Sequence, residues 1–129
     1  MARIRHIALT TKDPEKTAAF YMRAFDMTEV SRSPNGSLHL TDGYIDLAIL
    51  NWKTEQDADV GPNGPNYNGI HHLGFQVDDM EAAQGQQINQ RPGVEAGTRS
   101  TTPRNYEVKW SGPDGVVLDV SQSGWLGAP

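Results

Sequence analysis

The chain contains no cysteine, which excludes disulfides, thiolate metal sites and a cysteine nucleophile. It also lacks long apolar runs. No stretch approaches the roughly 20 apolar residues that a membrane-spanning helix requires, and no charged-then-apolar signal segment opens the sequence. Basic residues are outnumbered, 11 against 16 acidic ones, for a formal charge of −5. They are scattered, whereas a nucleic-acid surface needs clustered lysine and arginine. The expectation is a cytoplasmic protein that engages neither membrane nor nucleic acid. What is present is enough apolar material for a core: a hydrophobic content of 36%, spread along 129 residues, despite 13 glycines and 8 prolines. That length suits one compact domain.

Two parts of the chain carry the same order of elements. Ile4 to Thr11 is short, alternating and β-rich, and so predicts a strand. Asp13-Pro14 then supplies a helix start, with Asp as N-cap and Pro in the first turn, for a helix running to Phe25. A strand near Thr28 to Arg32, the turn Ser33-Pro34-Asn35-Gly36, and strands at Ser37 to Thr41 and Tyr44 to Leu50 around the hairpin signal Asp42-Gly43 complete β-α-β-β-β. After an Asn51 to Gly69 stretch rich in Gly, Pro, Asn and acid, the pattern returns. Ile70 to Val77 predicts a strand and Asp78-Asp79-Met80 opens a helix through Ile88. Strands near Gly97 to Thr101 and Tyr106 to Trp110 follow, then the turn Gly112-Pro113-Asp114-Gly115 and a last strand at Val116 to Ser121. The expected organisation is a single domain over 1–129: module 1 (3–50), a linker or surface loop (51–69), module 2 (70–122) and a C-terminal tail (123–129). The letters repeat as well. HIALTTKDPE from His6 aligns with HLGFQVDDME from His72, matching His6 with His72, Asp13 with Asp79 and Glu15 with Glu81. Such duplicated units each need the other to bury an open face. The fold class expected is α+β, an open, cupped mixed β-sheet of two βαβββ modules with helices outside.

Strand parity points to a site, because residues two apart share a face. His6 and Ala8 lie opposite Ile7 and Leu9, and Asp46 and Ala48 lie opposite Ile45, Leu47 and Ile49. His72 and Gly74 lie opposite Leu73, Phe75 and Val77, and Asp119 and Ser121 lie opposite Leu118 and Val120. Each strand thus has one apolar face suited to packing under a helix and one face bearing a His or Asp followed by a small residue. Two imidazoles and two carboxylates suit a divalent ion such as Fe²⁺, Mn²⁺, Co²⁺, Ni²⁺ or Zn²⁺. A carboxylate inside a sheet is unfavourable unless paired or coordinated. Taken singly, each of these residues is more often structural. Parity assigns His71 to the helix-packing face, and His39 has no counterpart in the second half. Asp42 and Asp114 are turn residues, and the Glu55 to Asp59 cluster reads as a solvated loop. Arg104 and Lys109 can hold an anion, with surface solvation the default reading. Tyr44, Tyr67, Tyr106, Trp110 and Trp125 can line a groove or fill a core, and the SQSGWLGAP tail can close over a pocket or dock on a partner subunit.

Four segments, RHIALTTKDPEKTAAFY from Arg5, YIDLAIL from Tyr44, HHLGFQVDDME from His71 and GPDGVVLDVSQ from Gly112, resemble the vicinal-oxygen-chelate superfamily. That superfamily includes glyoxalase I, methylmalonyl-CoA epimerase, extradiol dioxygenases and the fosfomycin and bleomycin resistance proteins. The resemblance implies metal ligands at His6, Asp46, His72 and Asp119, with Asp119 also serving as a catalytic base, and a homodimer acting on a small-molecule substrate. It implies a lyase or isomerase of the glyoxalase/epimerase kind that stabilises an enolate-like intermediate. Its competitors are an Fe(II)-dependent extradiol-type dioxygenase and a metal-free ligand-sequestering protein of the bleomycin-resistance kind. One departure from the family pattern is the shorter Asp at 46 and 119, where Glu, or Gln at the first position, is usual. Loss of Asp46 as a ligand leaves two His and Asp119, the set typical of non-haem Fe(II) oxygenases.

Overall fold

A computed structural model describes residues 2–57, 59–82, 95–100 and 106–128. Strand β1 (Arg3–Thr11) leads into helix α1 (Pro14–Phe25), followed by β2 (Thr28–Arg32), β3 (Leu38–Thr41) and β4 (Asp46–Asn51). The second half supplies β5 (Gly69–Gln76), β6 (Glu95–Ser100), β7 (Tyr106–Ser111) and β8 (Val117–Ser121). The eight strands form one mixed sheet in the order β2-β3-β4-β1-β5-β8-β7-β6. The order inverts about the β1–β5 junction. β1 pairs in parallel with β4 and β5 in parallel with β8, while β1 and β5 meet antiparallel. The internal duplication expected from the letters is therefore present as a pseudo-twofold in the sheet.

Local chemistry sets the ends of the elements. Asp13 caps α1 by accepting the Lys16 N–H at 3.1 Å, with Pro14 in the first turn, and Asp26 ends the helix at φ 58°. Asp79 plays the corresponding part in the second half, where its Oδ1 accepts the N–H groups of Glu81 and Ala82 as a helix opens at Met80. The stretch Ala83 to Ile88, expected from sequence to continue that helix, lies outside the described residues, as do Thr101 and Arg104. Asp42 Oδ1 accepts from the N–H groups of Tyr44 and Ile45, which makes the expected hairpin turn. No described helix is long and apolar enough to cross a membrane.

The apolar faces are where alternation put them. Leu9, Leu38, Leu40, Leu47 and Ile49 pack with Ala18 of α1, with Tyr21 and Met22 at the margin. Val108, Trp110 and Val120 form a second cluster with Leu118 and Met80. The segment 51–69 departs from its expected loose, solvated character. Lys53 and Asp59 within it are buried, and Thr10 Oγ1 donates to the Tyr67 carbonyl at 2.7 Å.

The β1–β5 junction carries two bulges in equivalent places. Ile4 pairs with Phe75 and His6 with Gly74, which makes Arg5 the extra residue of β1. Ala8 pairs with His72 and Leu9 with Ile70, which makes His71 the extra residue of β5. Each bulge immediately precedes the histidine that the duplication aligns, and bulges of this kind re-aim side chains. Between them, each histidine faces the small residue of the other module: His6 opposite Gly74, and His72 opposite Ala8. A Cβ at Gly74 would stand 2.6 Å from the His6 Cβ and 2.8 Å from the Trp125 ring. Gly74→Ala is expected to lower unfolding stability by about 1–3 kcal/mol through overpacking. Urea denaturation that finds the variant as stable as wild type would show that this crossing has room to relax.

Candidate metal centre

Three of the four residues singled out in the sequence converge. His6 Nε2 lies 3.2 Å from His72 Nε2 and 3.5 Å from Asp119 Oδ2, and His72 Nε2 lies 3.0 Å from the same carboxylate oxygen. His6, His72 and Asp119 are all buried and form one group able to share an ion. Donors about 2.0–2.2 Å from a common divalent ion, at angles between a square and a tetrahedral corner, lie about 2.8–3.6 Å apart. The observed triangle has those edges. Asp119 Oδ2 is buried with no hydrogen-bond donor aimed at it among the described residues, a costly state for a carboxylate oxygen unless something positive meets it.

Asp46 is elsewhere. Its Oδ2 lies 2.6 Å from His6 Nδ1, on the far side of the ring from the triangle, and both its oxygens lie 3.1 Å from His39 Nδ1. The reason is register. Asp46 is the direct neighbour of His6 in the β1–β4 pair, whereas Asp119 neighbours Gly74, two residues beyond His72, in the β5–β8 pair. Ala48, beside Ala8, occupies the place in the first half that Asp119 has in the second. The two carboxylates are thus not equivalent, although parity alone made them look so. Asp46 is placed to accept the His6 Nδ1–H and leave Nε2 as a lone pair facing the triangle, an arrangement common behind metal-bound imidazoles.

Other groups around the triangle were not legible as a site. Lys109, read from sequence as a surface residue, is buried, with Nζ 2.5 Å from Asp119 Oδ1, 3.3 Å from Asp59 and 3.7 Å from Glu107. Lys53 reaches Asp59 at 3.1 Å, so the acidic stretch read as solvated delivers one carboxylate into the interior. His71 is engaged by its neighbour on β5 and by the segment 51–69. Its Nδ1 lies 2.7 Å from His72 Nδ1 and its Nε2 3.0 Å from the Val60 carbonyl. Trp125, in the tail, stacks on His6 at 4.6 Å with rings 4° from parallel, and donates to Glu107 Oε2 at 3.1 Å. Thr41 Oγ1 donates to the Gly127 carbonyl. The tail therefore returns to the first module and covers the imidazole from one side. Of the other aromatics, Trp110 is core and Tyr44 lies under the Arg5 guanidinium. A cavity of about 340 Å³ opens on the triangle, with His39, Asn35, Asn51, Trp52 and Lys53 among its further lining residues.

The electrostatics favour a cation. Four buried carboxylates, Asp46, Asp59, Glu107 and Asp119, surround the site against two buried ammonium groups, Lys53 and Lys109. Buried charge is tolerated only when compensated. Burial, then the nearby charge of Asp119, pushes the Glu107 carboxyl up. Burial, reinforced by the positive charge of Lys109, holds His72 well below the ordinary imidazole range, which keeps it a neutral donor. Burial is the largest single influence and would lower His39 and raise Asp46. Hydrogen bonds and charges together outweigh it, from Asp46 and Glu107 on His39 and from His39 and His6 on Asp46, so His39 is raised above 6.5 and Asp46 lowered below 3.8. The bond to His39⁺ thus stabilises the fold fully below pH 6.5 and fades as pH rises through the folded value of His39. His39→Gln, stripped of metal, is expected to lose about 1–2 kcal/mol at pH 5.5 and much less at pH 9. Denaturation across that range that finds a constant difference would contradict the pairing.

The profile of the Glyoxalase/Bleomycin resistance protein/Dioxygenase superfamily matches residues 3–119. No curated protein sequence matches the chain. Solved structures share the fold. A variant of Streptomyces coelicolor methylmalonyl-CoA epimerase, in complex with 2-nitronate-propionyl-CoA, superposes with a TM-score of 0.67 at 21% identity, over 92% of this chain and 94% of that one. A methylmalonyl-CoA epimerase in complex with methylmalonyl-CoA and NH4+ gives 0.68 at 20% identity, over 100% and 99%. The 2,3-dioxygenase LapB from Pseudomonas sp. KL28 gives 0.66 at 16% identity, over 98% of this chain but 42% of its own. With the profile spanning both halves and the duplicated sheet beneath it, the chain belongs to the Glyoxalase/Bleomycin resistance protein/Dioxygenase superfamily.

Proposed function

We propose that the protein is a divalent-metal-dependent enzyme whose ion is held by His6, His72 and Asp119, and that it acts on a small oxygenated molecule as a lyase or isomerase. The observation that carries this reading is the meeting of two imidazole nitrogens and one undonated carboxylate oxygen within 3.5 Å of one another. When bound, the ion would act as a Lewis acid that stabilises an enolate-like oxyanion on the substrate. Asp46 and Lys109 would hold His6 and Asp119 in place through their second atoms. Asp119 has Oδ1 on Lys109 and Oδ2 in the triangle, which leaves it poorly placed for the base role expected from sequence. His39 is the better candidate to move a proton. It lines the cavity, and its Nδ1 is engaged by Asp46, which leaves Nε2 for a substrate.

A ferrous dioxygenase acting on a vicinal diol is the second reading. Its specific support is that Asp46 is turned back onto His6, so the converging set is two His and one carboxylate.

Metal content comes first. Untagged wild-type protein reconstituted with Co²⁺, Mn²⁺ or Fe²⁺ is expected to retain about one ion per chain, and His72→Ala and Asp119→Ala to retain none. Asp46→Ala should still bind, at roughly 10–100-fold lower affinity. If it instead loses the ion as completely as His72→Ala, Asp46 is itself a ligand. Wild type that retains no ion under any of these conditions removes the metalloenzyme reading.

The two chemistries are separated by loading the protein with each metal. Deuterium exchange next to a carbonyl in D₂O, followed by proton NMR over a panel of small 2-oxo acids and thioesters, is expected for the lyase or isomerase. Oxygen uptake with Fe²⁺ and catechols, without such exchange, would transfer the assignment to the dioxygenase.

A further inference from the structure

We infer that Trp125 is a positioning residue of the metal centre: its indole sets the plane of the His6 ring, which the contact with Asp46 leaves adjustable. The χ2 torsion of a histidine has broad wells, and the Asp46 carboxylate meets His6 at a single edge atom, Nδ1, at 2.6 Å. A carboxylate offers two oxygens and several lone-pair directions, so it can follow the ring through a range of tilts. A face-on contact removes that range. The ring centroids of Trp125 and His6 lie 4.6 Å apart, with the planes 4° from parallel. Tilting the imidazole would drive one edge into the indole and lift the other away from it. With the ring held flat, Nε2 stays 3.2 Å from His72 Nε2 and 3.5 Å from Asp119 Oδ2.

The tail is anchored on both sides of this ring. Trp125 itself is buried, and its Nε1–H donates to Glu107 Oε2 on β7 at 3.1 Å, which fixes the indole within its own plane. Before it, Gly124 turns the chain at φ +74° and donates its N–H to Ser121 Oγ at 3.0 Å. After it, the Ala128 N–H donates to the Trp125 carbonyl at 3.0 Å, and Thr41 Oγ1 donates to the Gly127 carbonyl. Two glycines leave the room that the packing needs. A Cβ at Gly74 would stand 2.8 Å from both His6 Cδ2 and the Trp125 ring, and one at Gly127 would stand 2.8 Å from Asp46 Oδ1. The tail thus meets both members of the His6–Asp46 pair, with Trp125 on the imidazole and Gly127 on the carboxylate. Filling space here would need only apolar bulk, whereas holding a plane needs a flat ring.

The ring plane is a property of the metal-free protein, whereas its effect on metal affinity rests on the metal-site reading above. Both are measured on the full-length protein, in wild type, in Trp125→Phe, which keeps a flat ring, and in Trp125→Met, which keeps adaptable apolar bulk without one. NMR of the metal-free wild type is expected to show the His6 ring protons displaced upfield by the indole, together with NOEs between the His6 and His72 rings. The NOEs should persist in Trp125→Phe and disappear in Trp125→Met. In a chelator competition Trp125→Met is expected to bind Co²⁺ roughly 10-fold more weakly than wild type, and Trp125→Phe to stay within about 3-fold of it. A folded Trp125→Met that keeps the NOEs overturns the proposal, and so do Phe and Met variants that weaken Co²⁺ binding equally, because bulk alone then accounts for the role. A wild type whose His6 protons show no upfield displacement overturns it whether or not the variants fold. If wild type binds no Co²⁺, the metal reading fails separately, and the NMR of the metal-free proteins still decides this one.

Discussion

The antiparallel pairing of β1 with β5 is the constraint on which the molecule turns. It is the seam where the two modules join, and both histidines of the triangle stand on it. His6 faces Gly74 and His72 faces Ala8, so each ring extends over a residue too small to obstruct it. Bulges at Arg5 and His71 interrupt the alternation just before each histidine. A seam of uninterrupted strands would have spaced the residues regularly. The bulged one brings His71 onto His72, and it lets β4 and β8 flank the seam with carboxylates at different depths.

Those depths decide the chemistry. In the first half the carboxylate lies level with its histidine and acts on Nδ1. In the second it lies two residues further along and meets Nε2 of both rings. A duplicated framework thus yields an asymmetric centre, with Asp119 in the triangle and Asp46 behind it. Lys109, Lys53 and Asp59 extend the polar interior outward along one side, while Trp125 closes the other over His6. Such a network of buried charge is stable only when fully partnered, and the undonated oxygen of Asp119 is the point at which a cation would complete it.

Much of the framework was legible in the chain. The period-two alternation of IRHIALTT, YIDLAIL and HHLGFQV identified strands and their apolar faces, and those faces form the cores under α1 and around Val108. Asp13-Pro14 and Asp79 announced helix starts, and the matched segments from His6 and His72 announced the pseudo-twofold. Parity also placed His6, His72 and Asp119 on one face. It failed for His71, because parity counts residues along a strand and a bulge adds one without leaving any mark in composition. Composition misled for the segment 51–69, where glycine, proline and acid suggested solvent. Asp59 is buried there because Lys53 and Lys109 are waiting for it.

By itself, then, the sequence determined the number and type of the elements, the duplication and the residues able to bear the chemistry. All of these follow from local propensity and periodicity. Only the tertiary structure decided the register between strands, and register cannot be read from one strand at a time. A shift of two residues between the β1–β4 and β5–β8 pairs separates Asp119 from Asp46. One inserted residue on β5 gives His71 its neighbour. The return of the tail across the cup sets Trp125 on His6. These are pairings between segments far apart in the chain, and their energies depend on what each side chain meets after folding.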